Sequence, residues 1–235
     1  MPSLIDKSER AHFYIAYRPY YRWKRVIDVV GASVLLVIFA PLMLLITVLI
    51  KLDSRGSVFF VQQRVGARHI RRGDWMLCVL CTFPFYKFRS MVENADSAVH
   101  VDYIRKFVSD RTKNVADVTF KLQSDHRITR LGRLLRRSSC DELPQLFNVI
   151  RGDMSLVGPR PIPTYEAQLY RDSDFQRLTA LPGITGIWQV KGRGKVPFDE
   201  MMRMDKHYAS RSSFWLDLKI LLLTIPAVLT GRGAM

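Results

Sequence analysis

The chain has 235 residues, with 36 Lys+Arg against 21 Asp+Glu and a formal net charge of +15. That length holds one substantial domain plus an attachment element, and the charge selects an anionic partner (nucleic acid, lipid headgroups or phosphorylated substrates) over a cationic one. Three cysteines, Cys78, Cys81 and Cys140, are too few and odd in number for a disulfide framework, which points to a reducing compartment.

Residues 1–20 are a polar and aromatic extension with no assignable chemistry, and residues 21–52 form an anchor. Val29 to Ile50 contains no charged residue. At about 1.5 Å per residue it is just long enough for a bilayer core of about 30 Å. No small-residue cleavage site follows it, which argues against a signal peptide. Pro41 lies near its middle, where it removes a backbone donor and bends a helix. Both flanks are basic: Arg18, Arg22, Lys24 and Arg25 before the run, Lys51, Arg55, Arg64, Arg68, Arg71 and Arg72 after it. Positive residues favour the cytoplasmic side, so a re-entrant helix–break–helix bent at Pro41 fits the charge pattern better than a crossing. A kinked transmembrane helix is the alternative.

Residues 53–235 are expected to form the cytoplasmic part. Val58–Gln63 reads as a short strand, residues 67–85 as a loop that is basic and then apolar, and Tyr86–Met91 as a strand or extended segment. Within that loop Cys78-Val79-Leu80-Cys81 has metal-like spacing, but no second Cys/His pair completes a zinc site. The two thiols therefore read as buried or membrane-facing. Residues 92–124 are polar and helical in part. Over 128–137, Ile128, Leu131, Leu134 and Leu135 share one face and arginines the other, an amphipathic basic helix. Residues 143–150 continue as a helix, followed by Gly/Pro-rich turns. Ser213–Leu223 reads either as an interfacial helix, too short before Pro226 to span, or as a core helix. The expected class is α+β: a re-entrant anchor on a mainly helical domain with short strands and interfacial amphipathic helices.

The chemistry centres on Ser139-Cys140-Asp141-Glu142-Leu143-Pro144. Ser139 and Glu142 match a capping box, with Pro144 tolerated in the first turn. One reading is a capped helix with acidic residues at its positive end. The other is functional: orphan N–H groups attract a phosphate, an Asp held there meets its phosphorus, and Arg136 and Arg137 one turn upstream neutralise phosphoryl oxygens. A carboxylate is a competent covalent nucleophile on phosphorus. Arg160 between Pro159 and Pro161, and Arg193 between Gly192 and Gly194, place guanidinium groups in framed turns of the kind phosphate recognition favours; solvated surface turns are the plain alternative. Lys87 lies between aromatics and is either a third cation of the site or a snorkelling surface lysine. Asp205, His207 and Asp217 remain, of which a carboxylate can hold Mg²⁺.

Several motifs occur in order: Lys24-Arg25-x-x-Asp28, the proline-broken helix, Val58-Phe59-Phe60-x-Gln62-x-Arg64-x-Gly66, Tyr86-Lys87-Phe88-Arg89-Ser90-Met91, Asp141-Glu142-Leu143-Pro144-Gln145-Leu146-x-Asn148-Val149, Gly152 through Pro161, and Pro182-Gly183-Ile184-Thr185-Gly186-x-Trp188-Gln189-Val190. Over residues 22–230 the chain closely resembles the bacterial monotopic phosphoglycosyl transferases, also called the bacterial sugar transferase family. The resemblance implies an enzyme seated on the cytoplasmic face of the bacterial inner membrane by a re-entrant helix. It implies transfer of a sugar 1-phosphate from a UDP-sugar to a polyprenyl phosphate, commonly undecaprenyl phosphate, with release of UMP and dependence on Mg²⁺. It implies that Asp141 attacks the β-phosphorus and that the lipid phosphate then attacks the phosphosugar-enzyme. Glu142 is its dyad partner, the cations fall on Lys87, Arg136, Arg160 and Arg193, and the metal lies near Asp141. Membrane lipids are then partners, nucleic acid is not, and a homodimer is compatible.

The chain departs from the family pattern in three ways: Ala40-Pro41 replaces the frequent Ser-Pro bend, the stretch between Gly66 and Tyr86 is longer than usual, and the N-terminal membrane helices of larger members are lacking. It therefore looks like the minimal catalytic form. The rival class is a membrane-tethered nucleic-acid or anionic-lipid binding module. It accounts for the charge and anchor but not for the Asp-Glu pair, and it predicts binding without turnover and a steep salt dependence.

Overall fold

The computed structural model describes residues 12–93, 98–109, 125, 127–192 and 196–230. A strand, β1 (His12–Ala16), precedes a single 34-residue helix, α1 (Tyr20–Asp53). Two 14-residue strands, β2 (Phe59–Arg72) and β3 (Trp75–Phe88), make the central hairpin. Next come α2 (Ala98–Ser109), α3 (Arg130–Ser138), a one-turn 3₁₀ helix at Cys140–Glu142, and α4 (Gln145–Arg151). The chain continues through β4 (Ser155–Val157), β5 (Ile162–Pro163), α5 (Thr164–Ala167) and a 3₁₀ stretch, Asp172–Thr179. It ends in β6 (Gly183–Thr185), α6 (Ile187–Gly192), α7 (Phe198–Arg211) and α8 (Phe214–Leu229). The result is a mixed helix-and-sheet fold carrying one long apolar helix near its N-terminus.

The hairpin overturns two expectations. The short strand expected at Val58–Gln63 runs on to Arg72, and residues 67–85, expected as a loop, are strand on both sides of a two-residue turn. Arg72 pairs with Trp75 across Gly73-Asp74, where Gly73 takes the left-handed φ of 62° that such tight hairpin turns require. Periodicity missed β3 because its two ends are buried on opposite faces. Met76, Cys78 and Leu80 are buried on one face, Phe83 and Phe85 on the other, so the segment reads as a continuous apolar run. Three residues apart on a strand, Cys78 and Cys81 point to opposite faces and cannot share a metal. Burial pushes the Cys78 thiol up to about 12.

The main sheet has the order β1-β3-β2-β5. Residues 12–16 thus form its edge, paired antiparallel with Trp75–Val79. Beyond them no described strand pairs with the outer edge of β3, and the side chain of Asn148 takes it over. Its amide donates to the Pro84 carbonyl at 2.7 Å and its oxygen accepts from the Tyr86 N–H at 3.2 Å. One buried side chain so satisfies the two backbone groups on either side of Phe85 that no described strand pairs. The parallel pair β4–β6 lies close by, with Gly158 and Gly183 so near that a Cβ on either would meet the other's backbone neighbourhood at about 2 Å.

Along α1 the positions facing the body recur every three or four residues: Lys24, Asp28, Ala32, Ile46 and Ile50 are buried, and Leu35, Leu36, Leu42 and Met43 pack onto the interior. The first half of this stripe packs with Val149, Leu156 and Phe85, the second half with Phe88 and Leu135. Both ends are tied to the same body. Arg25 donates to the carbonyls of Val149 and Ile150 at 2.5 and 2.7 Å, and Arg89 donates to those of Ser54 and Arg55 at 2.7 Å. The helix runs through Pro41 without interruption, so the break expected there is not a break in helical structure. A proline costs one backbone hydrogen bond and the neighbouring turns carry on. The opposite side of α1 is exposed and apolar, with Val37 76% and Leu44 68% accessible. In the same way α8 continues past Pro226 and leaves Trp215, Leu222 and Leu229 exposed.

Candidate active site

The segment expected to be a capping box folds otherwise. Ser139 adopts the left-handed conformation (φ 59°), closes α3 through its N–H on the Arg136 carbonyl, and makes no side-chain cap. Asp141 and Glu142 sit on the 3₁₀ turn, and the following helix begins only at Gln145, behind Pro144. The reversal at Ser139 turns the dyad back toward the end of β3 instead of extending it along a helix axis. The helix upstream also differs from expectation. Thr129 is its N-cap, accepting from the Gly132 N–H at 2.9 Å, while Ile128 lies outside it and bridges Met91. Leu135 is buried but Leu134 is exposed, so the apolar face is narrower than the sequence implied.

Three elements converge on the dyad. The end of β3 delivers Lys87, whose Nζ lies 3.3 Å from Asp141 Oδ2 and 2.7 Å from Glu142 Oε1. The turn after β4 delivers Arg160, whose Nη2 lies 2.7 Å from Glu142 Oε1 and whose Nη1 lies 3.5 Å from Oε2. From α3, Arg136 acts electrostatically on Asp141 and is oriented by an Nε donation to Ser90 Oγ at 2.9 Å. Burial by itself would raise the Glu142 carboxyl, but Arg160 and Lys87 together outweigh it and hold the group well below the usual carboxylate range. Burial lowers the Arg136 guanidinium, with Asp141 pulling the other way.

The two carboxylates are therefore unlike. Glu142 has both oxygens engaged by Arg160 and one shared with Lys87. Asp141 has a single, longer contact, and its Oδ1 makes no hydrogen bond to a described residue. A nucleophile needs an oxygen that is not already committed, and that oxygen belongs to Asp141. No group of three or more His, Cys, Asp or Glu side chains able to cage a metal occurs among the described residues. Mg²⁺ needs no such cage, since one or two carboxylates plus substrate phosphates and water complete its shell. Asp141, whose Oδ2 has only the 3.3 Å contact from Lys87, fits a cation held in that way.

Arg64 was read from sequence only as a flanking charge, and the structure gives it more to do. Its guanidinium stacks over the Phe85 ring at 4.1 Å and donates to the Pro161 carbonyl at 2.7 Å, fastening β2 to the turn that carries Arg160. Burial and then the neighbouring Arg160 lower it to about 10. The only sequence signal was its place in the Gln62-x-Arg64-x-Gly66 motif. Arg137 is exposed. Arg193 lies outside the described residues. Asp205 and Asp217, considered as metal holders, are instead committed elsewhere: Asp205 pairs with Arg177, and Asp217 accepts from Lys24, Tyr20 and Tyr208. The carbonyl of His207 accepts from the Ser210 hydroxyl at 3.0 Å.

Residues 19–231 match the sequence profile of the bacterial sugar transferases. An exopolysaccharide production protein of Rhizobium meliloti is 40% identical over 211 residues, which cover 90% of this chain and 87% of that one. A UDP-glucose:undecaprenyl-phosphate glucose-1-phosphate transferase of Caulobacter vibrioides is 41% identical over 219 residues, 90% of this chain and 71% of its own length. An undecaprenyl-phosphate galactose phosphotransferase of Salmonella typhimurium is 41% identical over 211 residues, 90% of this chain but 41% of its length.

Proposed function

The chain belongs to the bacterial sugar transferase family, and on that premise we propose that it transfers a sugar 1-phosphate from a UDP-sugar to undecaprenyl phosphate, releasing UMP, in exopolysaccharide or related glycoconjugate synthesis. The observation that carries the chemistry is the inequality of the dyad, with Glu142 clamped by two cations and Asp141 holding a free oxygen beside them.

In the first step an oxygen of Asp141 forms a bond to the β-phosphorus. The bond from that phosphorus to the bridging oxygen breaks, and UMP leaves with the electron pair. In the second step an oxygen of the lipid phosphate attacks the same phosphorus and Asp141 departs as carboxylate, leaving a polyprenyl diphosphosugar. Lys87, Arg136 and Arg160 face the phosphoryl oxygens and offset the charge that builds on them, the main demand of phosphoryl transfer. Glu142 holds Lys87 and Arg160 in place. Asp141 would hold Mg²⁺, which would add charge neutralisation on the diphosphate.

The membrane reading is monotopic, on the cytoplasmic face of the inner membrane. Its support is that both ends of α1 and the stripe between them pack on one body, while the other side of the helix is apolar and exposed. A helix crossing a bilayer has its two ends on opposite sides of the membrane, out of reach of a single soluble body.

The test is UMP release by the detergent-solubilised protein with Mg²⁺, undecaprenyl phosphate and a panel of UDP-sugars, beside Asp141→Asn. Release with one sugar, reduced on the order of 10⁴-fold or more in the variant, is expected from loss of a nucleophile. Comparable release by the variant excludes Asp141 as nucleophile. Binding of anionic lipid with no turnover for any donor favours the membrane-tethered binding module.

A further inference from the structure

Beside Lys87 the strand β2 begins with three apolar residues in succession, Phe59, Phe60 and Val61, which are 43%, 47% and 50% exposed. A strand that faces a core on one side and water on the other alternates; this one offers apolar groups to both faces. Its outer edge is open as well. The neighbouring strand β5 pairs with β2 only at Arg64 and Val65, so among the described residues Phe59–Gln63 has β3 alone as a partner. An open, apolar edge is an association hazard in water unless something covers it.

The register shows what it adjoins. Phe60 is directly opposite Lys87, and directly opposed residues share a sheet face with Cβ atoms about 5 Å apart. Lys87 is the side chain that touches both Asp141 and Glu142. On the other face Phe59 stacks on Phe88 at 5.5 Å, and Phe88 is packed with Ile46 and Ile50 of α1. Apolar groups thus flank the open edge on both faces, Phe59 with Phe88 and α1 on one and Phe60 beside Lys87 on the other.

We propose that the Phe59–Val61 edge seats the isoprenoid chain of the acceptor, with Phe60 against the units next to the phosphate and Lys87 receiving the phosphate itself. This rests on the transfer reaction proposed above. Of the two substrates, the UDP-sugar offers a uracil ring and a sugar face for stacking but no extended apolar segment that would run along an open strand edge. The acceptor is an apolar chain ending in one anionic group, which matches an exposed apolar edge whose Phe60 adjoins the ammonium of Lys87. Seating the chain there brings the phosphate oxygen to the reacting phosphorus with its orientation already restricted.

The experiment is steady-state transfer by the full chain in detergent, with the UDP-sugar that supports turnover, for wild type, Phe60→Ala and Phe60→Leu. Removing the ring should raise KM for undecaprenyl phosphate on the order of tenfold while KM for the UDP-sugar stays unchanged. Phe60→Leu, which keeps an apolar group, should recover most of the loss and shows that the site still folds. An unchanged acceptor KM in Phe60→Ala overturns the proposal. So does a parallel rise in both KM values, which would make Phe60 a support of the whole site. Absence of transfer by the wild type with every donor removes the reaction itself, and the acceptor seat with it.

Discussion

Arg177 Nη2 donates to the carbonyl oxygen of Arg160 at 2.8 Å while the same guanidinium pairs with Asp205, both side chains being 1% exposed. The residue that clamps Glu142 is therefore held from behind by a buried ion pair contributed by the 3₁₀ stretch and α7. Asp205→Ala would leave a guanidinium buried without its counter-charge. A loss of about 3–5 kcal/mol is expected in denaturant unfolding, and a lower transfer rate in whatever remains folded. An unaltered unfolding midpoint would show that the pair contributes nothing net.

Glu142 makes stability depend on pH in a defined direction. Its folded carboxyl is held below its unfolded value, so the stabilisation is complete above about pH 4.3 and is lost as pH falls through the lower folded value. Wild type should lose more stability than Glu142→Gln between about pH 5 and pH 3. Glu142 should also add no limb to the pH–rate profile between about pH 5 and pH 8. Equal acid sensitivity in the two proteins would contradict the clamp.

Gly132 sits where α3 crosses the chain after β3, and a Cβ there would lie 2.0 Å from the Ser90 carbonyl oxygen. Helix propensity alone favours Gly132→Ala by about 1 kcal/mol. The backbone contact reverses the sign: the substitution should destabilise, and should lower activity too, because Arg136 is oriented through Ser90. A thermal melt and a transfer rate on the same sample check both. A raised Tm would show that the contact relaxes freely.

Asp28 accepts from the Ser155 hydroxyl at 2.9 Å and the Leu156 N–H at 3.0 Å, joining α1 to β4. Asp28→Ala strands the Leu156 N–H in a buried position, while the Ser155 hydroxyl can turn to the Val157 carbonyl 3.0 Å away, and should cost about 1–3 kcal/mol. Hydrogen exchange should report it locally, with the Leu156 amide losing protection before those of the β2–β3 hairpin. Unchanged protection there would mean that water or another group replaces the carboxylate.

Much of the molecule was legible in the residues. The apolar anchor, the α4 helix, the Asp-Glu pair and three of the cations that surround it follow from residue type at short spacing. The long hairpin was not, because Met76–Leu80 and Phe83–Phe85 are buried on opposite faces and no single alternation marks the strand. Nor was the turn at Ser139. Its sequence matches a helix cap, but the chain reverses in a left-handed conformation that brings the dyad to Lys87. Residue type alone did not distinguish the flanking charge Arg64 from the others near it. The stack on Phe85 and the approach of the Pro161 carbonyl do so.

The sequence by itself determined the family, the acidic and basic residues of the candidate site and the apolar attachment element, because each is written in contiguous motifs whose chemistry survives without a fold. Which of two adjacent carboxylates keeps a free oxygen was decided by the tertiary structure alone. Glu142 is held by Lys87 from 55 residues earlier and Arg160 from 18 residues later, and Asp141 is left with one long contact. Adjacent residues of one chemical type become different reagents only when distant charges reach one of them and not the other.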